Sequence, residues 1–206
     1  MGLVRRAAAP EAPGPETPTT ESLLAALTAD DAEERRRAAL GLDGVAEAVP
    51  ALLARVGAEP DPAVRDAVLT TLAAVDREDV ATGLAVHLAS EDAALRTAVA
   101  ETLAAMPTAV PGLLPGLLAD PDHDVRIMTV MILADLVHPD SVPRLVEVIR
   151  TDPHPNVVAA AVDALLPSAT EDHAAVLREA RARFPDDPFL RFTVEAALPG
   201  LPGGEA

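Results

Sequence analysis

Six segments of the sequence align without gaps: DAEERRRAALGL from Asp31, DPAVRDAVLTTL from Asp61, DAALRTAVAETL from Asp92, DHDVRIMTVMIL from Asp122, HPNVVAAAVDAL from His154 and DPFLRFTVEAAL from Asp187. They share Asp, then Arg four residues on, then Leu seven residues after the Arg. The Leu column is Leu42, Leu72, Leu103, Leu133, Leu165 and Leu198, with steps of 30, 31, 30, 32 and 33 residues. A period this short and this regular restricts the fold more than anything else in the chain. A unit of that length cannot bury its apolar face alone, so neighbours must stack.

Each unit reads as two helices. In the first, the Asp is an N-cap, and Pro62 and Pro188 stand at the first helical position, where no amide donor is needed. Apolar residues then recur at steps of three and four, as in Val64, Val68, Leu72 and Val75. A second column supplies the partner helices: AVPALLARV from Ala48, VATGLAVHL from Val80, AVPGLLPGLL from Ala109, SVPRLVEVI from Ser141 and HAAVLREAR from His173. With a leading helix at Thr19 to Ala29, this predicts an all-α solenoid of about six repeats and about eleven helices, in one body over residues 20–198. The Pro- and Ala-rich residues 1–19 and the residues 199–206 read as tails. Pro115 and Gly116 inside the third partner helix predict that it is short or bent.

The units resemble HEAT repeats, and in particular the short HEAT-like type of phycobilisome lyase subunits. The D-P-x-V-R-x-A core from Asp61 to Ala67 and its copies carry the resemblance, over roughly Asp31 to Leu198. It implies a right-handed superhelix with the second helices on the concave face. It also implies that the Asp and Arg columns form a structural ladder between units: Asp31 with Arg35, Asp61 with Arg65, Asp92 with Arg96, Asp122 with Arg126, and Asp187 with Arg191. The fifth unit has His154 and Val158 in these columns, a paired loss that predicts an apolar spot or a looser joint there.

Composition excludes several functions. The net charge is −17, all 16 basic residues are Arg (as a GC-rich genome would give), and Trp and Tyr are absent. Such a surface repels nucleic acid and anionic lipid, so neither is an expected partner. Without Cys there are no disulfides and no thiolate metal sites. The N-terminus lacks an apolar signal core and no run suits a membrane span, which reads as a cytoplasmic protein. No nucleophile motif or phosphate loop occurs, so neither catalysis nor a cofactor is expected. His123 and His154 occupy neighbouring turns, about 10 Å apart at ordinary helix spacing, near Asp122, Asp124 and Asp152. They are weak metal candidates, because their spacing matches no ligand motif and no His-Glu pair of the kind used by HEAT-like iron hydroxylases is present.

What remains is binding. The fourth and fifth partner helices carry Arg144, Arg150, Arg178, Arg181 and Arg183, which read as a concave contact for an acidic peptide or phosphate. The three Phe residues, 184, 189 and 192, cluster at the C-terminal end. They pack the closing helix or, for Phe189 and Phe192, offer a docking edge. The leading reading is therefore a protein-interaction scaffold, monomeric or weakly oligomeric, that binds another protein or peptide on its concave face. The alternative, implied by the resemblance alone, is an accessory or lyase-type subunit acting on a protein-bound cofactor or modification.

Overall fold

The computed structural model describes residues 18–201, and all the regular structure described is helical. The proposed N-terminal tail lies outside these residues except for its last two, of which Thr19 caps the first helix. At the other end, Leu198–Gly200 forms a single 3-10 turn rather than loose chain, and residues 202–206 lie outside the description.

Twelve α-helices are present among the described residues. A leading helix, α1 (Thr20–Ala26), is followed by five pairs and a closing helix. The first helices of the units are α2 (Ala32–Gly41), α4 (Pro62–Ala73), α6 (Ala93–Ala104), α8 (His123–Asp135), α10 (Pro155–Leu165) and the closing α12 (Pro188–Ala197). Their partners are α3 (Val49–Val56), α5 (Glu78–Ala85), α7 (Leu114–Leu118), α9 (Ser141–Thr151) and α11 (Ala174–Arg183). Each first helix packs on the next, from α2 to α12, and each partner helix packs on its own first helix or the one that follows. Two layers result, with one continuous apolar core between them. Leu42, Leu72, Leu103, Leu133 and Leu165 are all at most 1% exposed, so the Leu column is the spine of that core. Leu198, in the last described unit, is half-buried.

The Asp column caps helices as the sequence predicts. Asp31, Asp61, Asp92, Asp122 and Asp187 each accept amide hydrogens from the first turn of their own helices, and His154 does the same through Nδ1. The Arg column does not pair with these caps within its own unit. Each Arg reaches back to the carbonyl two residues before its cap: Arg35 to Ala29 at 2.8 Å, Arg65 to Glu59 at 2.8 Å, Arg96 to Ser90, and Arg126 to Asp120 at 2.8 Å. It also reaches forward to the next unit. Arg35 donates to Glu59 at 2.8 and 3.0 Å, Arg126 to Asp152 at 2.8 and 3.2 Å, and Arg65 to Asp92 at 3.3 Å. The ladder acids buried against their Arg are thus Glu59 and Asp152, two residues before a cap, and not the caps themselves.

This changes the meaning of Val158. The ladder partner of its column is position 185, a Pro, so the paired loss is Val158 with Pro185 rather than Val158 with His154. The brace itself is kept by another residue. Arg183, at the end of α11, donates to the carbonyls of Ile149 at 2.9 Å, of Arg150 and of Asp152, the last being the carbonyl an Arg at 158 would take. The joint is not loose: Val157, Val158, Ala159, Ala161, Val162 and Leu165 are all fully buried.

A second tie crosses units. Asp76 sits at φ 39°, uncommon for a residue other than Gly, and its carboxylate accepts from the N–H groups of Thr108 at 3.1 Å and Ala109 at 2.9 Å.

The third partner helix is short, as its Pro and Gly predict. A 3-10 turn at Val110–Gly112 is followed by only five residues of α-helix. The neighbouring α9 runs for eleven residues. In the partner layer α3 packs on α5 and α9 on α11, but α7 makes no comparable contact with α9. The layer therefore opens between them.

Three outcomes test this account. Burial pushes the Glu59 carboxyl up, but hydrogen bonds from Arg35, the Asp61 N–H and Arg55 outweigh it and hold it at about 2. A carboxyl held below its usual value of 4.5 contributes fully above that pH, and the contribution is lost as pH falls toward 2. Urea denaturation at neutral pH should show Glu59→Ala less stable by about 3–5 kcal/mol, since it strands the buried Arg35. The variant should also show a smaller further loss than wild type between neutral pH and pH 3. Around Gly116 there is no heavy atom within 4 Å of an added Cβ. Gly116→Ala should therefore stabilise by about 0.5–1 kcal/mol in the same assay. Native-state hydrogen exchange should find α10 protected at least as well as α4, and Arg183→Ala should accelerate exchange selectively at the end of α9 and the start of α10.

Candidate functional site

The five Arg residues of the fourth and fifth partner helices do not form one patch. Because α9 and α11 pack on each other, their Arg residues fall into two clefts on opposite sides of that joint. Arg183 is taken up by the three carbonyls above, and its guanidinium also lies 5.0 Å from the Phe184 ring centroid. Arg150 is exposed beside Glu147 at 3.6 Å.

Arg144 lies in the opening between α7 and α9. This cleft, about 320 Å³, is bounded by the end of α7 at Leu118, the start of α8, and Arg144, Val148 and Thr151 of α9. The Arg126–Asp152 pair lines it as well, and that buried ion pair is internally satisfied. Arg144 is different. Its Nε is shielded from solvent without a hydrogen-bond partner, and its side chain makes no ion pair or hydrogen bond among the described residues. A shielded guanidinium donor left unmatched costs about 1–3 kcal/mol or more, which an acceptor entering the cleft would recover. The acids that also border the cleft have other contacts. Asp120 accepts from the Asp122 N–H at 2.8 Å, and Glu147 faces Arg150.

Arg178 and Arg181 line a second cleft with Ala182, Pro185 and Arg191, between α11 and α12. Arg191 was read as a ladder residue. It belongs to that column, but it is exposed, because no unit follows α12 among the described residues. Arg181 lies 3.4 Å from Glu195.

The Phe residues divide. Phe184 packs against the core, whereas Phe189 and Phe192 are 57% and 70% exposed. They stand two and five residues after the cap. The same positions hold Ala63 and Asp66 in α4 and Ala94 and Thr97 in α6, all exposed, whereas the second of them is the fully buried Ala159 in α10. The two rings thus stand where α4 and α6 face solvent.

His123 and His154 are nearer than the helix spacing suggests. Their rings stack with centroids 4.0 Å apart and planes 13° from parallel. Nitrogen lone pairs lie in the ring plane, so two stacked rings direct them side by side rather than toward one ion between them. His154 Nδ1 is also occupied by the Asn156 N–H at 3.3 Å. Ligand atoms of Asp122, His123 and Asp124 do come within 4.8 Å of one another at the start of α8. However, Asp122 is already capping the helix and both carboxylates are exposed. No described helix is long and apolar enough to cross a membrane.

Both clefts were indicated by Arg residues in the sequence, but their separation was not. It depends on which side of each helix the Arg occupies, and the pairing of α9 with α11 decides that.

Known proteins agree with the repeat reading. No curated protein matches the chain. Among solved structures it is similar to an engineered protein from a structural genomics consortium, at 20% identity and a TM-score of 0.37, with 88% of this chain and 95% of that one covered. It is also similar to the complex of CpcE and CpcF of phycocyanin lyase from Nostoc sp. PCC7120, at 18% identity and a TM-score of 0.39, covering 98% and 100%. Superpositions that loose leave the assignment to the family match, in which the HEAT-repeat profile covers residues 20–104 and 110–199. That match takes in both halves of the array, and the chain belongs to the HEAT-repeat family.

Proposed function

We infer that this protein is a binding scaffold that holds a partner polypeptide against its layer of second helices, with the cleft between α7 and α9 as the contact. The observation that carries this reading is the half-buried Arg144, whose Nε is shielded from solvent and unmatched, in a cleft of about 320 Å³. A closed, self-sufficient solenoid has no use for such a residue, and an interior site would normally supply it with an acceptor. An Asp or Glu side chain from the partner fits the vacancy in hydrogen bonding, because a guanidinium takes a carboxylate through two parallel bonds. The apolar walls from Leu118 and Val148 would cover the rest of that side chain.

The site follows from the sequence by a short path. Pro115 and Gly116 shorten α7, the short helix fails to cover α9, and the uncovered flank of α9 presents Arg144. Binding on the second-helix layer also suits a rigid array, since the partner meets helices braced at every joint and little ordering is lost on association.

The test is affinity capture from native lysate, identification of the bound protein, and titration of that protein against variants. Arg144→Ala should weaken the complex about tenfold or more and leave the urea midpoint of the free protein unchanged or raised. An unchanged affinity would remove the cleft from the interface. A visible absorbance band that co-purifies with the chain would instead favour the accessory or lyase-type reading.

A further inference from the structure

The geometry points to a second docking site, beside the last described unit: a groove of about 540 Å³ between α11 and α12 that takes the acidic turn preceding a helix of another polypeptide. Its lining is Arg178, Arg181, Ala182, Pro185 and Arg191, three cations and no acid, in a chain whose net charge is −17.

The interior joints show what an Arg in this column accepts. Arg35 takes Glu59 and Arg126 takes Asp152, and each acid stands two residues before the next helix cap and is followed by Pro. Arg191 is the same residue of the last unit. The structure gives it neither the backward carbonyl nor a forward carboxylate among the described residues, and Arg178 stands across the groove equally unpartnered. The donor side of such a joint is present, and among the described residues no acid–Pro turn faces it.

Another complete unit is not what fills it. Eight residues after the cap, where first helices pack on their successors, the interior units carry Ala39, Leu69, Ala100, Val130 and Val162, all buried. α12 carries Glu195 there, exposed and facing Arg181 at 3.4 Å. A charged pair at that position opposes burial under a further helix. It therefore blocks head-to-tail stacking of copies while leaving Arg178 and Arg191 open. The groove favours a short acidic segment over a helix face. At physiological salt the screening length is about 8 Å, so the acids of the far units act weakly on this groove; of the near ones, Glu195 faces Arg181 and Asp187 caps α12.

The probe is the chain's own acceptor turn, a synthetic peptide Ala-Glu-Pro-Asp-Pro-Ala-Val with the sequence of residues 58–64, titrated into full-length protein labelled with ¹⁵N-arginine. The Nε–Hε resonances of Arg178 and Arg191 should shift together and saturably, and that of Arg144 should stay in place, which separates this site from the α7–α9 cleft. Replacing the peptide's Glu by Gln, or making Arg191→Ala or Arg178→Ala in the protein, should weaken binding about tenfold. Equal binding of the Gln peptide, or equal binding by both Arg variants, would overturn the proposal. Two further results would also overturn it. Saturation of the same resonances by inorganic phosphate at lower concentration than by peptide would make the groove a phosphate site. Concentration-dependent shifts without peptide would give it to a second copy.

Discussion

The guanidinium at the fourth residue after the cap is what the rest of the array depends on. In Arg35, Arg65 and Arg126 it ties the carbonyl that enters its own helix to a group at the head of the next, so one side chain fixes both the start of a helix and the distance to its neighbour. Small side chains make this necessary. With a core built from Leu, Val and Ala and no fully buried aromatic ring, apolar contact alone specifies the offset between units weakly. A planar, multiply bonded Arg has only one geometry that satisfies it, so it supplies the register. Burying such a pair contributes little net stability. Its role here is positional.

Arg183 shows that the position of the bonds matters more than their source. In the fifth unit the Arg column holds Val158, which fills its space with apolar contact and is fully buried. The carbonyl of Asp152 is still capped, from the following partner helix. A long flexible side chain has reached the same acceptor from a different direction. The repeat is degenerate in sequence and intact in hydrogen bonding.

How much of this could be read from the sequence follows from the range of each interaction. The caps, the Leu spine and the shortness of α7 depend on residues within one turn of each other, and local chemistry announces them. The acceptors of the Arg column lie 24 to 27 residues away, at positions whose identity varies: Glu59, Asp92 and Asp152. An alignment that compares columns within a unit pairs each Arg with the Asp beside it, and so misses a partner in the next unit. The exposure of Phe189 and Phe192 was hidden for a related reason. Helical spacing places them on one stripe but cannot say whether that stripe faces a neighbour, solvent or the end of the array. Arg144 and Arg178 likewise share a column of partner helices, yet the contact between α9 and α11 sends them to separate clefts.

The same reasoning locates function within a fold that does not itself specify one. In an acidic chain of 16 Arg residues, a guanidinium with its bonds satisfied is part of the frame. Arg35, Arg126 and Arg183 are of this kind, and the Val158 joint that looked irregular is completed by the last of them. The informative residues are those the frame leaves over. Arg144 is left over because α7 ends too early to cover it, and Arg191 because no carboxylate among the described residues takes it. The causes differ, yet both present an Arg to a cleft with no carboxylate of the described residues committed to it. On the proposed reading that carboxylate belongs to a partner, and the two clefts, lined by different helices, receive it independently.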